Sequence, residues 1–162
     1  MNTDTLITLL AFKRWSDAHT LQAIQTLDAS RYAEKHHLML RLMNHIYVVD
    51  RIFSANMLGQ SHGYTALNTP ETPTAEALAV SMAACTDDII ARVSGMDAAA
   101  LDVRIAFTFV DGGQGEMSAM EMLNHLLFHG AYHRGAVGWL IGECGGVPPK
   151  EVLTVFLRDH HA

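Results

Sequence analysis

The stretch that most constrains this chain is His125-Leu126-Leu127-Phe128-His129-Gly130-Ala131-Tyr132-His133-Arg134-Gly135, with histidines at intervals of four. Residues four apart on an α-helix stand one above the other on one face. His129 and His133 can therefore direct two imidazoles at one point. A third imidazole from a facing helix would complete a set of three nitrogen donors. His45, about eighty residues upstream, is the candidate.

The periodicity places both segments on long helices. Leu6, Ile7, Leu10, Ala11, Ala18, Leu21 and Ile24 form one wide stripe over residues 3–27. Asp28-Ala29-Ser30 then supplies turn chemistry. A second helix is expected over 32–58, ending at Gly59, with Leu38, Leu42, His45, Val49 and Ile52 as its core stripe. Residues 60–73 are rich in Gly, Ser, Thr, Asn and Pro and read as a long crossover. Pro73 is placed at the first position of a third helix that carries Leu78, Met82, Cys85, Ile89 and Val93 and stops before Gly95.

Val103, Ile105, Phe107 and Phe109 alternate with polar or small residues ahead of Asp111-Gly112-Gly113, the pattern of a short strand or hairpin. Ser118-Ala119-Met120-Glu121 is a capping box that opens a last long helix. Its wheel groups Met122, His125, Leu126, His129, His133, Ala136, Val137 and Leu140, and turns Arg134 away toward a surface or dimer contact. Gly135 in mid-helix implies close helix packing. A short terminal helix is expected over 151–159. The fold class that follows is all-α: one domain over 1–162, a four-helix bundle with long crossover connections and a short β-hairpin before the last long helix.

Composition narrows the partners. A net charge of -6 argues against nucleic acid or an anionic membrane surface. No apolar run reaches the roughly 18 residues of a membrane span. The opening Met1-Asn2-Thr3-Asp4 lacks a basic leader, so a cytoplasmic location is expected. Cys85 and Cys144 form no Cys-x-x-Cys motif and read as small buried apolar residues. Trp15 and Tyr47 read as core aromatics. Ten histidines are the anomaly, and His160 and His161 among them close the chain.

Several metal chemistries are excluded by the residues present. A His-Glu-x-x-His protease needs Glu where this chain has Gly130. A carboxylate di-iron bundle needs two Glu-x-x-His pairs, and only Glu34-Lys35-His36-His37 has that spacing. What remains is one divalent ion (Zn, Ni or Fe) on His45, His129 and His133, with open positions for water or a thiolate, or a structural site finished by another ligand. His125 shares the face one turn earlier and reads as a hydrogen-bonding neighbour of the ligands or a packed core residue.

These segments together resemble the DinB (damage-inducible) family of four-helix-bundle proteins over nearly the whole chain. Leu10-Ala11-Phe12-Lys13-Arg14-Trp15-Ser16-Asp17 is similar to its opening segment. Met43-Asn44-His45-Ile46-Tyr47-Val48-Val49-Asp50-Arg51-Ile52-Phe53 is similar to its first histidine segment. The stretch from His125 to Gly135 is similar to its C-terminal signature, and Phe156-Leu157-Arg158 to its ending. The chain departs from the family at Phe12, Asp17 and Ala136, where Tyr, Asn and Gln are common.

The resemblance implies His45, His129 and His133 as metal ligands, His125 as a neighbour that does not ligate, and a homodimer. It also implies thiol chemistry, since related bundles include S-transferases that use a low-molecular-weight thiol. The leading expectation is thus a metal-dependent enzyme that activates such a thiol for transfer to a small electrophilic substrate. The alternatives are a metal-dependent hydrolase needing no thiol, and a non-catalytic stress-response dimer whose metal is structural.

Overall fold

The computed structural model describes residues 2–160. Among them are six α-helices and one antiparallel hairpin: α1 (Thr3–Gln25), α2 (Ala33–Met57), α3 (Ala75–Val93), α4 (Ala98–Asp102), β1 (Arg104–Thr108), β2 (Gln114–Ser118), α5 (Ala119–Glu143) and α6 (Leu153–His160). The four long helices form the expected bundle, and the hairpin stands directly before the last of them. His161 lies outside the described residues.

The helix ends follow from side-chain chemistry. Asn2 Oδ1 accepts the Thr5 amide to open α1. Asp28 Oδ1 accepts the amides of Ser30 and Arg31, which turns the chain into α2. The capping box of α5 is complete: Ser118 Oγ accepts the Glu121 amide and Glu121 Oε2 accepts the Ser118 amide. Ser118 is also the last residue of β2, so the hairpin fixes where α5 begins. The start of α3 differs from expectation. Thr74 Oγ1 accepts the Ala77 amide and is the cap, which leaves Pro73 outside the helix.

α1 packs chiefly on α3, and α2 chiefly on α5. α1 also contacts α5, and α2 contacts α3, whereas α1 and α2 barely touch. The order around the bundle is therefore α1, α3, α2, α5, with the two sequential helices α1 and α2 on a diagonal. The crossover between α2 and α3 and the segment holding α4 and the hairpin make this order feasible.

The core is divided. One apolar cluster gathers Leu6, Leu10, Val49, Phe53, Ile89, Met122 and Leu126 among others. A second gathers Leu21, Ile24, Met39, Met43, Leu78, Val137 and Ile141. Between them lies a polar layer: Lys13, Ser16, Asp17 and Thr20 from α1, Asp50 from α2, Thr86 from α3 and Arg134 from α5, all buried.

Three expected helix faces are corrected by this layer. On α1 the buried stripe runs Leu6, Leu10, Lys13, Asp17, Leu21, Ile24, and Ala18 is exposed. On α2 it is centred on Met39, Met43, Ile46, Val49 and Asp50, while Leu38 is 47% exposed and His45 stands at the edge. On α5 it runs Met122, Leu126, Gly130, Arg134, Val137, Ile141, which puts the histidines on the shoulder of the helix. Arg134 is thus buried, not a surface contact.

Arg134 Nε donates to Glu151 Oε2 at 2.7 Å and Nη1 to Asp17 Oδ1 at 2.9 Å. Lys13 Nζ donates to Asp17 Oδ2 at 2.8 Å and Asp50 Oδ2 at 2.6 Å. Thr20 Oγ1 donates to the other Glu151 oxygen at 2.6 Å. This chain of pairs ties α1, α2, α5 and the segment after α5 together. Against a burial that alone would lower it, Asp17 and Asp50 raise the Lys13 ammonium pKa. Burial pushes the Asp50 carboxyl up to about 6.

Removing one member of a buried ion pair leaves its partner charged and desolvated, at a cost of about 3–5 kcal/mol. Arg134→Ala is therefore expected to lower unfolding free energy by about 3 kcal/mol or more in a urea titration. A loss under ~1 kcal/mol would mean that the layer contributes little.

Candidate metal centre

The histidines reach their places through α2 and α5, the pair of helices that pack most closely beside each other on this side of the bundle. His45 comes from the edge of α2, and His129 and His133 from successive turns of α5. The ring centroids of His45 lie 4.8 Å from His129 and 4.7 Å from His133, and those of His129 and His133 are 4.5 Å apart. One candidate donor atom from each falls within 4.8 Å of the others, and the group could hold a metal ion.

Hydrogen bonding selects the nitrogens. His45 Nδ1 lies 2.8 Å from the Leu67 carbonyl oxygen. A carbonyl only accepts, so Nδ1 carries the proton and Nε2 of neutral His45 presents its lone pair. That Nε2 stands 3.0 Å from Nε2 of His129. Two bare lone pairs at this distance repel, so one of them must face a proton or a shared cation. Two nitrogens each about 2.1 Å from one ion stand roughly 3–3.4 Å apart. The observed spacing fits a divalent ion, and so does the donor set of three imidazoles.

The crossover over residues 59–74 holds His45 in this orientation. Beside it, Asn44 Nδ2 donates to Asn68 Oδ1 at 2.7 Å and to Thr69 Oγ1 at 2.8 Å. The loop is thus fastened to α2 next to the histidine whose Nδ1 it engages. A partner on the far nitrogen is what orients a ligating imidazole and raises its basicity. Leu67 and Asn44 were not legible as parts of the site, because a backbone carbonyl has no sequence signature.

His125 does not join the three. Its ring lies 4.7 Å from that of Phe53 and 5.2 Å from His129, packed at the side of the cluster. Tyr132 contacts His133 edge-on at 5.1 Å. Cys85 and Cys144 are both buried and free, and neither belongs to the histidine group. Trp15 packs with Phe12 and Phe156 between α1 and α6, and half-buried Tyr47 packs against both apolar clusters.

Beneath the cluster lies the ionic layer. A Cβ at Gly130 would fall 2.8 Å from Arg134 Nη1 and 3.3 Å from Lys13 Cε. The absence of a side chain between His129 and His133 lets the two cations pass under that turn. The signal for this layer was present in the sequence. Lys13 and Asp17 interrupt an otherwise apolar stripe at the helical spacing that carries Leu10 to Leu21.

A model of the DinB family matches residues 1–159. The chain belongs to the DinB family. No curated protein matches it. Family membership and the convergence of His45, His129 and His133 rest on separate observations, one on the whole sequence and one on geometry. Among the described residues of this DinB chain, no helix is long and apolar enough to cross a membrane.

Burial, with the neighbouring His133, His45 and His125 adding to it, lowers the His129 pKa to about 3. Burial followed by His45 lowers that of His133, and burial lowers that of His125. The fold therefore favours neutral imidazoles, the form in which they can ligate. A His whose folded pKa is depressed binds its proton more readily when unfolded. Its contribution to stability is complete above the unfolded value of 6.5 and is lost as pH falls toward about 3. The raised pKa of Asp50 acts in the opposite sense below about 6. The comparison that isolates His129 is metal-free protein against His129→Gln. Between pH 6.5 and pH 4.5 the melting temperature of the first is expected to fall more steeply than that of the second. Parallel slopes would show that His129 is not held neutral by the fold.

Proposed function

We propose that this chain is a metal-dependent enzyme in which His45, His129 and His133 hold one divalent ion (Zn, Ni or Fe) that activates a low-molecular-weight thiol for transfer to a small electrophile. The observation that carries the reading is the pair of Nε2 atoms 3.0 Å apart, with the His45 proton fixed on the opposite nitrogen by Leu67. A bound divalent cation of this type lowers the pKa of a thiol or water that it binds and polarises it for attack at neutral pH.

The residues of the chain divide the remaining work. Three neutral donors leave the net charge of the ion uncompensated, which favours an anionic fourth ligand such as a thiolate. The shoulder position of His133, half-buried at the edge of α5, leaves the site reachable by a small molecule. His125 and Phe53 wall its other side. Both cysteines are buried, and burial pushes the Cys85 thiol up to about 12. A thiol nucleophile therefore has to come from outside the protein, which supports a thiol as cosubstrate over a cysteine of the chain.

Untagged protein purified without nickel resin is expected to carry about one divalent ion per chain by plasma mass spectrometry. His45→Ala and His129→Ala should each lose it. With Co²⁺ loaded in its place, 2-mercaptoethanol should add an ultraviolet sulfur-to-metal absorption band. Metal without the band would reject the thiol and leave a hydrolytic or structural ion. Absence of uptake of Zn²⁺, Ni²⁺ or Fe²⁺ would reject the centre itself.

A further inference from the structure

α5 has a third face that neither the core nor the histidines use. Phe128 is 73% exposed, Tyr132 77% and Trp139 73%. With Gly135 and Gly142 they recur at intervals of four, three, four and three, the spacing of a helix–helix seam. From Asn124 to Gly142 the helix has no Asp, Glu or Lys, and its one Arg, Arg134, is turned into the core. A chain of net charge -6 thus keeps one helix face free of charge repulsion.

The same face carries its own complement. Gly135, Gly138, Trp139, Gly142 and Pro148 line a groove of about 320 Å³. A Cβ added at Gly135 would meet nothing within 4 Å, so the sequence expectation that this glycine serves close packing finds no partner within the chain. The residues are arranged about Gly135 nearly symmetrically. An antiparallel copy of α5 crossing there would set Phe128 over Gly142, and Tyr132 beside Trp139, twice over.

We propose that α5 packs antiparallel against α5 of a second copy of this chain, crossing at Gly135, with Phe128 and Tyr132 of each entering the glycine groove of the other. A two-fold interface requires one patch to hold both knob and hole, and this one does. Three aromatic side chains of ~150–250 Å² each, about three-quarters exposed, offer roughly 450 Å² per copy. Val147, 84% exposed, and Pro148 extend the patch at its end. The total approaches the ~1,000 Å² of a specific dimer. Tyr132 lies against His133, so interface and metal centre share a wall, and the partner subunit's Trp139 stacks at the rim of the site.

Sedimentation velocity over a concentration series tests this, on wild type, Gly135→Leu and Trp139→Glu. Wild type is expected to sediment as a dimer. Gly135→Leu adds a side chain into open space in the single chain and a better helix former. It should melt no lower than wild type at concentrations where both are monomeric, yet raise the dimer dissociation constant by about tenfold or more. Trp139→Glu should do the same through the opposite knob. A wild type that stays monomeric overturns the proposal, as does a Gly135→Leu protein that dimerises like wild type. Monomer that instead co-sediments with phosphatidylcholine vesicles would assign the face to a lipid surface and overturn it equally.

Discussion

Arg134 is the residue on which the arrangement turns. Its guanidinium, 3% exposed, links Asp17 on α1 to Glu151 beyond α5, while Lys13 links Asp17 to Asp50 on α2. A buried charge is tolerated only with its partners in place, so the network permits one register of these helices. Sliding α5 by a turn would carry Arg134 into an apolar cluster and leave three carboxylates sharing one ammonium. His129 and His133 flank Gly130 on that same stretch of helix. The placement of the imidazoles is therefore set by an ion network that none of them joins.

That dependence explains where the site sits. Imidazoles at the centre of the core would need both nitrogens satisfied in the absence of an ion, and imidazoles on the open surface would titrate and move. The shoulder of α5 is intermediate. It is buried enough to keep His129 neutral and open enough at His133 to admit a ligand. The crossover after α2 completes the arrangement by taking the His45 proton at Leu67. A loop of this length is costly to order, and the contacts of Asn44 with Asn68 and Thr69 offset that cost beside the histidine.

Periodicity and end signals made the bundle, the hairpin and the capping box at Ser118 legible, because each is local. The grouping of His45 with His129 and His133 was legible too, since spacing of four on one helix and a lone histidine on another is a helical pattern. The faces were less so. Assigning each stripe by its apolar residues rotated α5 toward its histidines and put Arg134 outside, although Leu126, Gly130, Arg134, Val137 and Ile141 run at the same period. Lys13, Asp17, Asp50 and Arg134 look like surface residues when each is considered alone. Their burial depends on one another, and mutual compensation between distant helices has no local trace. Glu151, beyond the end of α5, is the extreme case.

α5 thus carries three stripes with different chemistries, and two glycines mark their boundaries. Gly130 faces inward, where a Cβ would collide with Arg134, so it is explained by the chain's own packing. Gly135 faces outward with nothing near it. An exposed mid-helix glycine costs roughly 1 kcal/mol relative to Ala and gains nothing within the monomer. Three large aromatics left in water on the same face lose the burial that each would contribute elsewhere. Unlike the buried ions, which compensate one another inside the chain, these two costs can be offset only by something outside it. A surface that is both knob and groove, free of charge and centred on the unexplained glycine, is answered most economically by its own copy.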